Sequence, residues 1–464
     1  MKKIFFLLIF SAVLLFGGSA AAEGYLFTVK DEIVVPYSLE STVKRVPLSS
    51  QIMYEADSID EIYDITDGEN LIDIIYNCEV KLFSSPDDTY YSYQWYTSDI
   101  NSYSAYEKGL RGDGVKIGII DSGINYGHED IDTSKIVSMY NVIDDSDDVT
   151  DTMGHGSFVT GLIAADINNG TGIAGIADNA EIAVYKIFED SSTELKYLLT
   201  ALDMAIEDGC DVINMSLGIS EDGINDSSIE ALEELIDAAA ERNIIIVAAA
   251  GNDGDNTMNY PAAFDSVIGV GSVSQSLKHS SFSNKNSSVF VAAPGEYMAS
   301  AWYGGSDSYN LAKSYSSSSG TSFSTPIVTA MAALAKQVYG DITIDDVKEL
   351  LQDTSQDLGM KGYDVSYGWG LVDIDAFTDE LIENYLTDIS LSDDGETVTA
   401  RNLHSEAAMY TAGYSDGLLT SITIDEITDS SAEIEVSVPE DCDSVRLFFW
   451  SGVTPVWDAI DLDV

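Results

Sequence analysis

Four polar residues in this chain, each beside or close to glycine, could together cleave an acyl bond. They are Asp121, His155, Asn252 and Ser322. A serine hydroxyl is a weak nucleophile that needs a base, and an imidazole can be that base when a carboxylate holds its tautomer and stabilises its cation. A side-chain amide can donate to the oxyanion that forms. These residue types predict nucleophilic acyl transfer.

Ser322 lies where a small-residue turn meets an apolar run. The segment Gly320-Thr321-Ser322-Phe323-Ser324-Thr325-Pro326 is followed by apolar residues at helical spacing up to Val338. This pattern predicts that Ser322 stands at a helix N-terminus, where unpaired N–H groups carry partial positive charge. Taken alone, the serine could equally be a helix N-cap.

His155 has the most suitable setting among the four histidines. It is flanked by two glycines at a strand-to-helix connection, whereas His128, His279 and His404 lack this setting. Asp121 ends an apolar strand and could orient the imidazole, although a turn-capping aspartate is the alternative. Asn252 could be an ordinary turn asparagine. The occurrence of all four together favours the catalytic interpretation.

Strands and helices alternate between about residues 90 and 378. Apolar runs predict strands, and amphipathic runs between them predict helices near 156–165, 193–208 and 228–242. The predicted strands are Val115–Ile120, Ile182–Ile187, Val212–Met215, Ile244–Ala249 and Val267–Gly271. This order indicates a parallel sheet covered on both faces, with ligand sites beyond the carboxyl ends of the strands.

The catalytic motifs and their order resemble those of the subtilisin family of serine endopeptidases. The matching segments are Ile119–Gly123, Gly154–Val159, Asn214–Gly218, Ala250–Asn252 and Gly320–Pro326. The resemblance implies a three-layer α/β fold with a seven-stranded, mostly parallel sheet. It also implies peptide hydrolysis by an Asp121–His155–Ser322 triad with Asn252 in the oxyanion hole, and a propeptide that assists folding and inhibits the enzyme.

The same resemblance implies where a protein or peptide substrate binds. Ser216, Leu217 and Gly218 match the strand to which an extended substrate adds. Ala249, Ala250 and Gly251 match one wall of the primary specificity pocket, and Asn259 lies near its base, although a solvent-facing loop residue is the alternative. Ser157, Ser324 and Ala330 depart from the usual family residues without removing a catalytic group.

A structural calcium ion is also implied by the resemblance. Asp130 and Asn169 would provide side-chain oxygens, and Ile167, Thr171 and Ile173 would provide backbone carbonyls. Hard oxygen ligands from an irregular loop suit Ca²⁺. An ordinary Asn-Gly turn within a loop that interrupts the helix of His155 is the alternative.

Composition limits the possible partners. The 464 residues carry 79 acidic and 21 basic side chains, for a net charge of -58. Such a charge disfavours nucleic acid and anionic membranes and suits a solvated surface. Cys78, Cys210 and Cys442 are far apart, which indicates neither a disulfide scaffold nor a zinc site. We expect a monomer.

The chain is predicted to consist of four parts. Residues 1–22 read as a secretory signal, with Lys2 and Lys3 before an apolar run and a small-residue cleavage site. Residues 23–88 read as a propeptide, 89–380 as the catalytic domain and 385–464 as a small C-terminal β-sandwich. We therefore expect a secreted, extracellular protein that processes itself. An adhesion protein on a protease-like scaffold and a peptide ligase are the alternatives.

Overall fold

The computed structural model describes residues 85–304, 311 and 314–385 throughout. Between residues 25 and 76 and between 388 and 463 it describes the strands given below, with residues 43, 62 and 66. The predicted signal segment, 1–22, lies outside the described residues.

The first strands form a small antiparallel sheet in the order β2-β3-β1-β4. They are β1 (Tyr25–Val29), β2 (Lys44–Val46), β3 (Ile52–Ala56) and β4 (Leu71–Tyr76). Short β-like runs in the sequence predict strands at Tyr25–Val29 and at 79–83. The strand β1 has the first of these bounds, and residues 79–83 lie outside the described residues. The chain divides into two compact units between residues 84 and 85. This division is close to the predicted end of the propeptide at 88, whose role stays a prediction.

Seven parallel strands form the central sheet, in the order β13-β12-β10-β8-β5-β7-β6. They are β5 (Lys116–Asp121), β6 (Ile136–Asn141), β7 (Glu181–Lys186), β8 (Val212–Met215), β10 (Ile245–Ala249), β12 (Ile268–Val273) and β13 (Val291–Pro294). The predicted seven-stranded, mostly parallel sheet is confirmed.

Helices cover both faces of this sheet. The helices are α1 (Tyr96–Asp99), α2 (Tyr103–Glu107), α3 (His155–Ala164), α4 (Leu195–Glu207), α5 (Asp226–Glu241), α6 (Thr321–Val338), α7 (Ile344–Thr354) and α8 (Ile374–Tyr385). Successive strand residues point to opposite faces, so Ile119 packs in the cluster with α3 and α6, and Ile120 packs with α4 and α5. Two buried cores, one on each side of the sheet, make the three-layer α/β fold.

The five predicted strands and three predicted helices of this region are present, with bounds that differ by at most two residues. The sequence did not predict the edge strands β6 and β13. Most residues of β6 are only partly buried, so it lacks the continuous apolar run of a central strand. β13 is buried and apolar but has only four residues and ends in Pro294. The helix of His155 ends at Ala164, so the loop that follows terminates this helix rather than interrupting it.

Shorter elements lie around the sheet. The strands are β9 (Ile219–Ser220), paired with β11 (Asn259–Tyr260), and β14 (Met298–Ala301), paired with β15 (Tyr315–Ser318). Single 3₁₀ turns cover Tyr91–Tyr93, Thr133–Lys135 and Glu221–Gly223.

After α8 the described residues are all in antiparallel strands, as the alternating pattern predicts. The strands are β16 (Asp388–Leu391), β17 (Thr397–Arg401), β18 (Ala407–Ser415), β19 (Leu418–Ile427), β20 (Ala432–Glu435), β21 (Ser444–Ser451) and β22 (Thr454–Asp463). They form one sheet in the order β16-β17-β20 and another in the order β19-β18-β21-β22. Met409 and Leu447 in the second sheet are buried. The β-sandwich itself stays a prediction.

We expect Leu162→Ala to destabilise the catalytic unit by about 2–5 kcal/mol, because Leu162 in α3 is fully buried and its truncation leaves a cavity. The free energy of unfolding should be measured by denaturant titration in a Ser322→Ala background, which limits self-digestion. Val137→Ala, at a residue 46% exposed, is the control and should change stability by less than about 0.5 kcal/mol. Equal effects of the two substitutions would contradict the assigned core.

Candidate active site

Asp121 and His155 form a hydrogen-bonded pair at the carboxyl edge of the sheet. Asp121 is the last residue of β5, and His155 is the first residue of α3. The His155 Nδ1 lies 2.8 Å from Asp121 Oδ1 and 3.0 Å from Oδ2. The Asp121 side chain is 2% exposed and that of His155 is 30% exposed. Asp121 therefore fixes one ring nitrogen, while the imidazole remains accessible.

The glycines beside His155 allow a close approach of backbone. Gly154 has a φ of +89°, and a Cβ there would lie 2.5 Å from the ring of Trp302. A Cβ on Gly156 would lie 2.2 Å from the carbonyl oxygen of Gly123. A larger residue at Gly156 would push the start of α3 away from the backbone that follows β5, and one at Gly154 would collide with the Trp302 ring. The glycines thus set the distance between His155 and Asp121.

Ser322 is the second residue of α6, as predicted for a helix N-terminus. Pro326 has no N–H and cannot donate to the carbonyl four residues earlier, which is that of Ser322. The Ser216 hydroxyl donates to this carbonyl instead, at 2.7 Å. The Ser216 hydroxyl also accepts a bond of 2.9 Å from the side chain of Asn214, so β8 fixes the backbone of Ser322.

Asn252 lies beside the start of α6 and is oriented by Thr321. Its Oδ1 accepts bonds from the Thr321 N–H, at 2.9 Å, and from the Thr321 hydroxyl, at 3.0 Å. With its oxygen engaged, the Asn252 amide presents its NH₂ group as a donor. Asn252 and Ser322 line the same cavity of 140 Å³.

The four predicted residues line two adjoining cavities, two residues in each. His155 and Asp121 line a second cavity of 570 Å³, and Leu217 and Gly218 line both cavities. The ring of Phe323, next to Ser322, has its centroid 5.3 Å from that of His155. A peptide-sized cleft therefore runs past the serine and histidine.

Five of the seven predicted substrate residues line the smaller cavity, and Ser216 lines the larger one. Leu217, Gly218, Ala249, Gly251 and Asn259 line the smaller cavity, together with Asp253, which the sequence did not indicate. Ala250 is fully buried and contributes through its carbonyl, which accepts a bond of 3.2 Å from Asn259 Nδ2. Asn259 is 6% exposed, so the solvent-facing alternative for this residue is wrong.

Asp151 is a buried carboxylate at the site that sequence reasoning missed. It is 0% exposed and accepts bonds from the Gly154 N–H at 2.8 Å and the Ser157 N–H at 2.9 Å. The Ser122 hydroxyl also donates to it, at 2.9 Å. Its position four residues before His155 was the available signal of a role at the site. However, it ends an acidic stretch whose composition is typical of a solvated loop.

Opposing effects act on the pKa of His155, and the net direction is upward. Burial lowers it, whereas the charge and hydrogen bond of Asp121 and the charge of Asp151 raise it above the usual 6.5. Its imidazolium is therefore stabilised by the fold. This contribution to stability is fully present below about pH 6.5 and is lost as pH rises through the folded-state pKa.

Hydrogen bonds connect the predicted calcium loop to the segment that precedes α1. Asp88 accepts bonds from the N–H groups of Asn168, at 3.0 Å, and Asn169, at 3.1 Å. The Tyr90 N–H donates to the Gly172 carbonyl at 2.5 Å. Asp130 Oδ2 accepts from the Ile173 N–H at 2.8 Å, and Oδ1 accepts from Asn169 Nδ2 at 3.0 Å. The loop is thus more ordered than a simple Asn-Gly turn.

Two observations fit a cation at this loop. Burial raises the pKa of Asp130 to about 7 and the charges of Asp88 and Asp166 add to the rise, although the hydrogen bonds from Ile173 and Asn169 lower it. The carbonyls of Ile167, Thr171 and Ile173 accept no hydrogen bond from the described residues. The Asn169 oxygen accepts from the Thr171 N–H at 2.6 Å, so its amide would have to turn to act as a ligand. No cluster of three His, Cys, Asp or Glu side chains suited to a metal occurs in the described part of the chain.

An aspartate–histidine pair and a helix-terminal serine on a parallel sheet define the class of serine hydrolases with this three-layer fold. Residues 112–370 match the subtilase family, peptidase S8. The chain belongs to this family. The subtilisin-like serine endopeptidase predicted for its catalytic domain is confirmed.

Curated relatives are bacterial proteases. The chain is 33% identical over 336 residues to the minor extracellular protease Epr of Bacillus subtilis, and this match covers 72% of the chain but only 47% of Epr. It is 35% identical over 274 residues to subtilisin DY of Bacillus licheniformis, covering 58% of the chain and 92% of subtilisin DY.

Solved structures support the same fold. A protease from Pseudoalteromonas arctica matches with a TM-score of 0.57 and 28% identity, covering 64% of this chain and 100% of that one. A lanthipeptide protease matches with a TM-score of 0.58 and 25% identity, covering 65% of this chain and 100% of that one.

We expect the pKa of His155 to lie above 6.5 and to fall below it in Asp121→Asn, because the desolvation remains while the carboxylate charge is removed. The imidazole C–H resonances should be followed by NMR titration in a Ser322→Ala background. His128 is the internal reference, since burial lowers its pKa below 6.5 in the same molecule. An unchanged His155 titration in Asp121→Asn would contradict the pairing.

Proposed function

We propose that this protein is a secreted serine endopeptidase made as a self-processing precursor. The observation that carries the proposal is the hydrogen-bonded Asp121–His155 pair, which lines a cavity that shares Leu217 and Gly218 with the cavity lined by Ser322. The family match supports the reaction class. Ser322 is the nucleophile, His155 the base, Asp121 the orienting carboxylate and Asn252 the oxyanion donor.

The proposed reaction proceeds by two acyl transfers. His155 Nε2 takes the proton of the Ser322 hydroxyl as the oxygen attacks the peptide carbonyl, and the same proton then passes to the departing amine. Water repeats the sequence on the acyl-enzyme, with His155 again the base. Asp121 stabilises the imidazolium formed in each step and does not itself take the proton.

The negative oxygen formed by each attack requires fixed donors. The Ser322 N–H, at the start of α6, donates to no acceptor among the described residues and is available. The Asn252 NH₂ group is the second donor, held by the bonds from Thr321 to its oxygen. Donors fixed before the reaction avoid the cost of reorganisation, which makes such a site effective.

The cleft can hold an extended peptide. Leu217 and Gly218 stand between its two cavities, where a substrate strand would add by main-chain hydrogen bonds. Main-chain recognition tolerates many sequences, so the side-chain preference is left to the pocket of 140 Å³ that Asn259 closes. The substrates are therefore proteins or peptides.

We expect Ser322→Ala to lower kcat by at least about 10³-fold and to stop removal of the N-terminal region, because both need the same nucleophile. Peptide hydrolysis and the mass of the secreted product are the measurements. Ser324→Ala is the control, because its hydroxyl is bonded to the Ala293 carbonyl at 3.0 Å, away from the cleft. Wild-type hydrolysis and processing by Ser322→Ala would overturn the proposal.

Calcium is proposed as a structural ion at the loop of residues 167–173. Asp130, the carbonyls of Ile167, Thr171 and Ile173, and a turned Asn169 would hold it. When bound, the ion would compensate the buried charge of Asp130 and tie the loop that follows α3 to the rest of the domain.

We expect EDTA to lower the Tm of the Ser322→Ala protein by roughly 5–10 °C. Ligand at 100 times its Kd contributes about 2.7 kcal/mol, and a domain of this size gains about 2–4 °C for each kcal/mol. Asp130→Asn should abolish the response, whereas Asp147→Asn, in an exposed loop, should keep it. A parent Tm that is insensitive to EDTA would contradict calcium binding.

Secretion and autoinhibition rest on the sequence and the relatives. The signal pattern of residues 1–22 and the extracellular relative Epr support export. None of the helices in the described regions is sufficiently long and apolar to cross a membrane. The region 23–88 is proposed as an intramolecular inhibitor, and the domain of residues 385–464 as an accessory β-sandwich. Monomeric enzyme is proposed.

A further inference from the structure

We propose, on the basis of the proposed function, that the smaller cavity is specific for a positively charged side chain, lysine above all, in the residue whose carbonyl is attacked. Ser322 and Asn252 line this cavity, so the side chain next to the reacting carbonyl is the one that can enter it. Asp253 provides a negative charge there, and Asn259 provides a hydrogen-bond acceptor. The substrates are therefore proteins and peptides that are cleaved after lysine.

The side chain of Asn259 brings an unpaired oxygen to the cavity. Asn259 is 6% exposed, and its Nδ2 donates to the Ala250 carbonyl at 3.2 Å. This bond fixes which way the amide is turned, because only the nitrogen can donate to a carbonyl. The Oδ1 atom accepts no hydrogen bond from the described residues, and a Cβ on the cavity-lining Gly218 would lie 3.6 Å from it. A donor on the substrate would satisfy this oxygen, which is otherwise costly to bury.

Strand pairing holds this acceptor in place. Asn259 in β11 lies opposite Ser220 in β9, and its carbonyl accepts a bond of 2.9 Å from the Ala263 N–H. The oxygen is therefore positioned before substrate binds. A positioned acceptor discriminates well between substrates, because binding a donor requires no rearrangement of the protein.

Asp253 places a carboxylate at the same cavity. Its N–H donates to Asn284 Oδ1 at 2.8 Å, and its Oδ2 accepts from Asn284 Nδ2 at 3.3 Å. Asn284 is fully buried, so it anchors the loop that carries Asp253. Asp253 forms no ion pair with any of the described residues. Its charge is therefore available to a cation on the substrate.

The remaining walls suit the stem of a lysine. Leu217, Gly218 and Ala249 offer small or apolar surface for the methylene groups, while the ammonium group keeps its polar contacts. None of the described residues that line this cavity is a lysine, arginine or histidine. An ammonium group has three donors and no acceptor, so it fits both Asn259 Oδ1 and the Asp253 carboxylate. A carboxylate in the substrate would be repelled by Asp253 and would leave Asn259 Oδ1 unpaired.

The charge of the whole chain acts in the same direction but without this selectivity. The net charge of -58 attracts cationic peptides at low ionic strength, wherever their positive charge lies. Asp253 instead favours only a charge inside the cavity. Two substrates of equal net charge, differing in where the lysine stands, therefore separate the two effects.

The test compares kcat/KM for two such peptides, using the full-length protein after maturation. One peptide has lysine at the cleaved residue and methionine four residues earlier, and the other has these two residues exchanged. We expect cleavage after lysine to be favoured about 5–20-fold over cleavage after methionine, because methionine is unbranched and neutral and leaves Asn259 Oδ1 unpaired. Product masses identify the bond that is cleaved.

Asp253→Asn should lower this lysine-to-methionine ratio about 3–10-fold, a modest change because Asp253 is exposed and water screens its charge. Asparagine keeps the oxygen that Asn284 binds. Asp255→Asn is the matched control, since Asp255 is an exposed carboxylate of the same loop that does not line the cavity. It changes the net charge equally and should keep the parent ratio.

Two further measurements separate charge from hydrogen bonding. Raising the salt concentration from about 0.05 M to about 0.5 M should lower the ratio in the parent about 2-fold and should have less effect in Asp253→Asn, because salt screens an exposed carboxylate. Asn259→Ala should lower the ratio at both salt concentrations, because it removes the acceptor and keeps Asp253.

A parent ratio of one or less would overturn this inference, as would a ratio that Asp253→Asn leaves unchanged or that Asp255→Asn lowers equally. A parent ratio in Asn259→Ala would overturn the role of Asn259. Each of these results can occur while hydrolysis still requires Ser322. Failure of the proposed function would appear instead as hydrolysis that survives Ser322→Ala.

Discussion

The hydrogen bond between a buried carboxylate and a half-exposed imidazole is the interaction on which the rest of the site depends. The pair forms where β5 ends and α3 begins, at a separation of 2.8 Å. Burying Asp121 is costly unless its oxygens are satisfied, and the Ser122 N–H and the His155 ring supply those bonds. The sheet fixes one partner and a capped helix fixes the other, so the geometry exists before substrate arrives.

Close packing of backbone is the second constraint, and it explains the glycines of the motif. Gly156 lies against the carbonyl of Gly123, and Gly154 lies beneath the ring of Trp302. On the other side of the cleft, Pro326 releases the Ser322 carbonyl from the helix, and Ser216 takes it up. These glycine and proline residues therefore set the separations between the backbone segments around the reacting atoms.

Sequence reasoning found those residues whose signal is local. Asp121 follows an apolar strand, and ligand sites are expected beyond the carboxyl ends of such strands. His155 stands between two glycines, so both positions could be predicted from the sequence. Asp151 has only its position four residues before His155 as a signal, because its burial depends on the folded loop, in which the neighbouring Thr150 pairs with Ile124. The sequence did not predict the edge strands for two reasons: most residues of β6 are only partly buried, and β13 has only four residues.

Asp88 and Tyr90 are hydrogen-bonded to the loop of residues 168–172, and these bonds bear on where the proposed precursor could be cleaved. A cut before residue 87 would leave all of these hydrogen bonds in the mature enzyme. A cut after residue 90 would remove these hydrogen bonds, which hold the loop that follows α3, the helix of His155. Asp88 is the last residue of the proposed propeptide, so a cut directly after it would remove the bonds from Asn168 and Asn169 and leave the bond from Tyr90 to Gly172 in place.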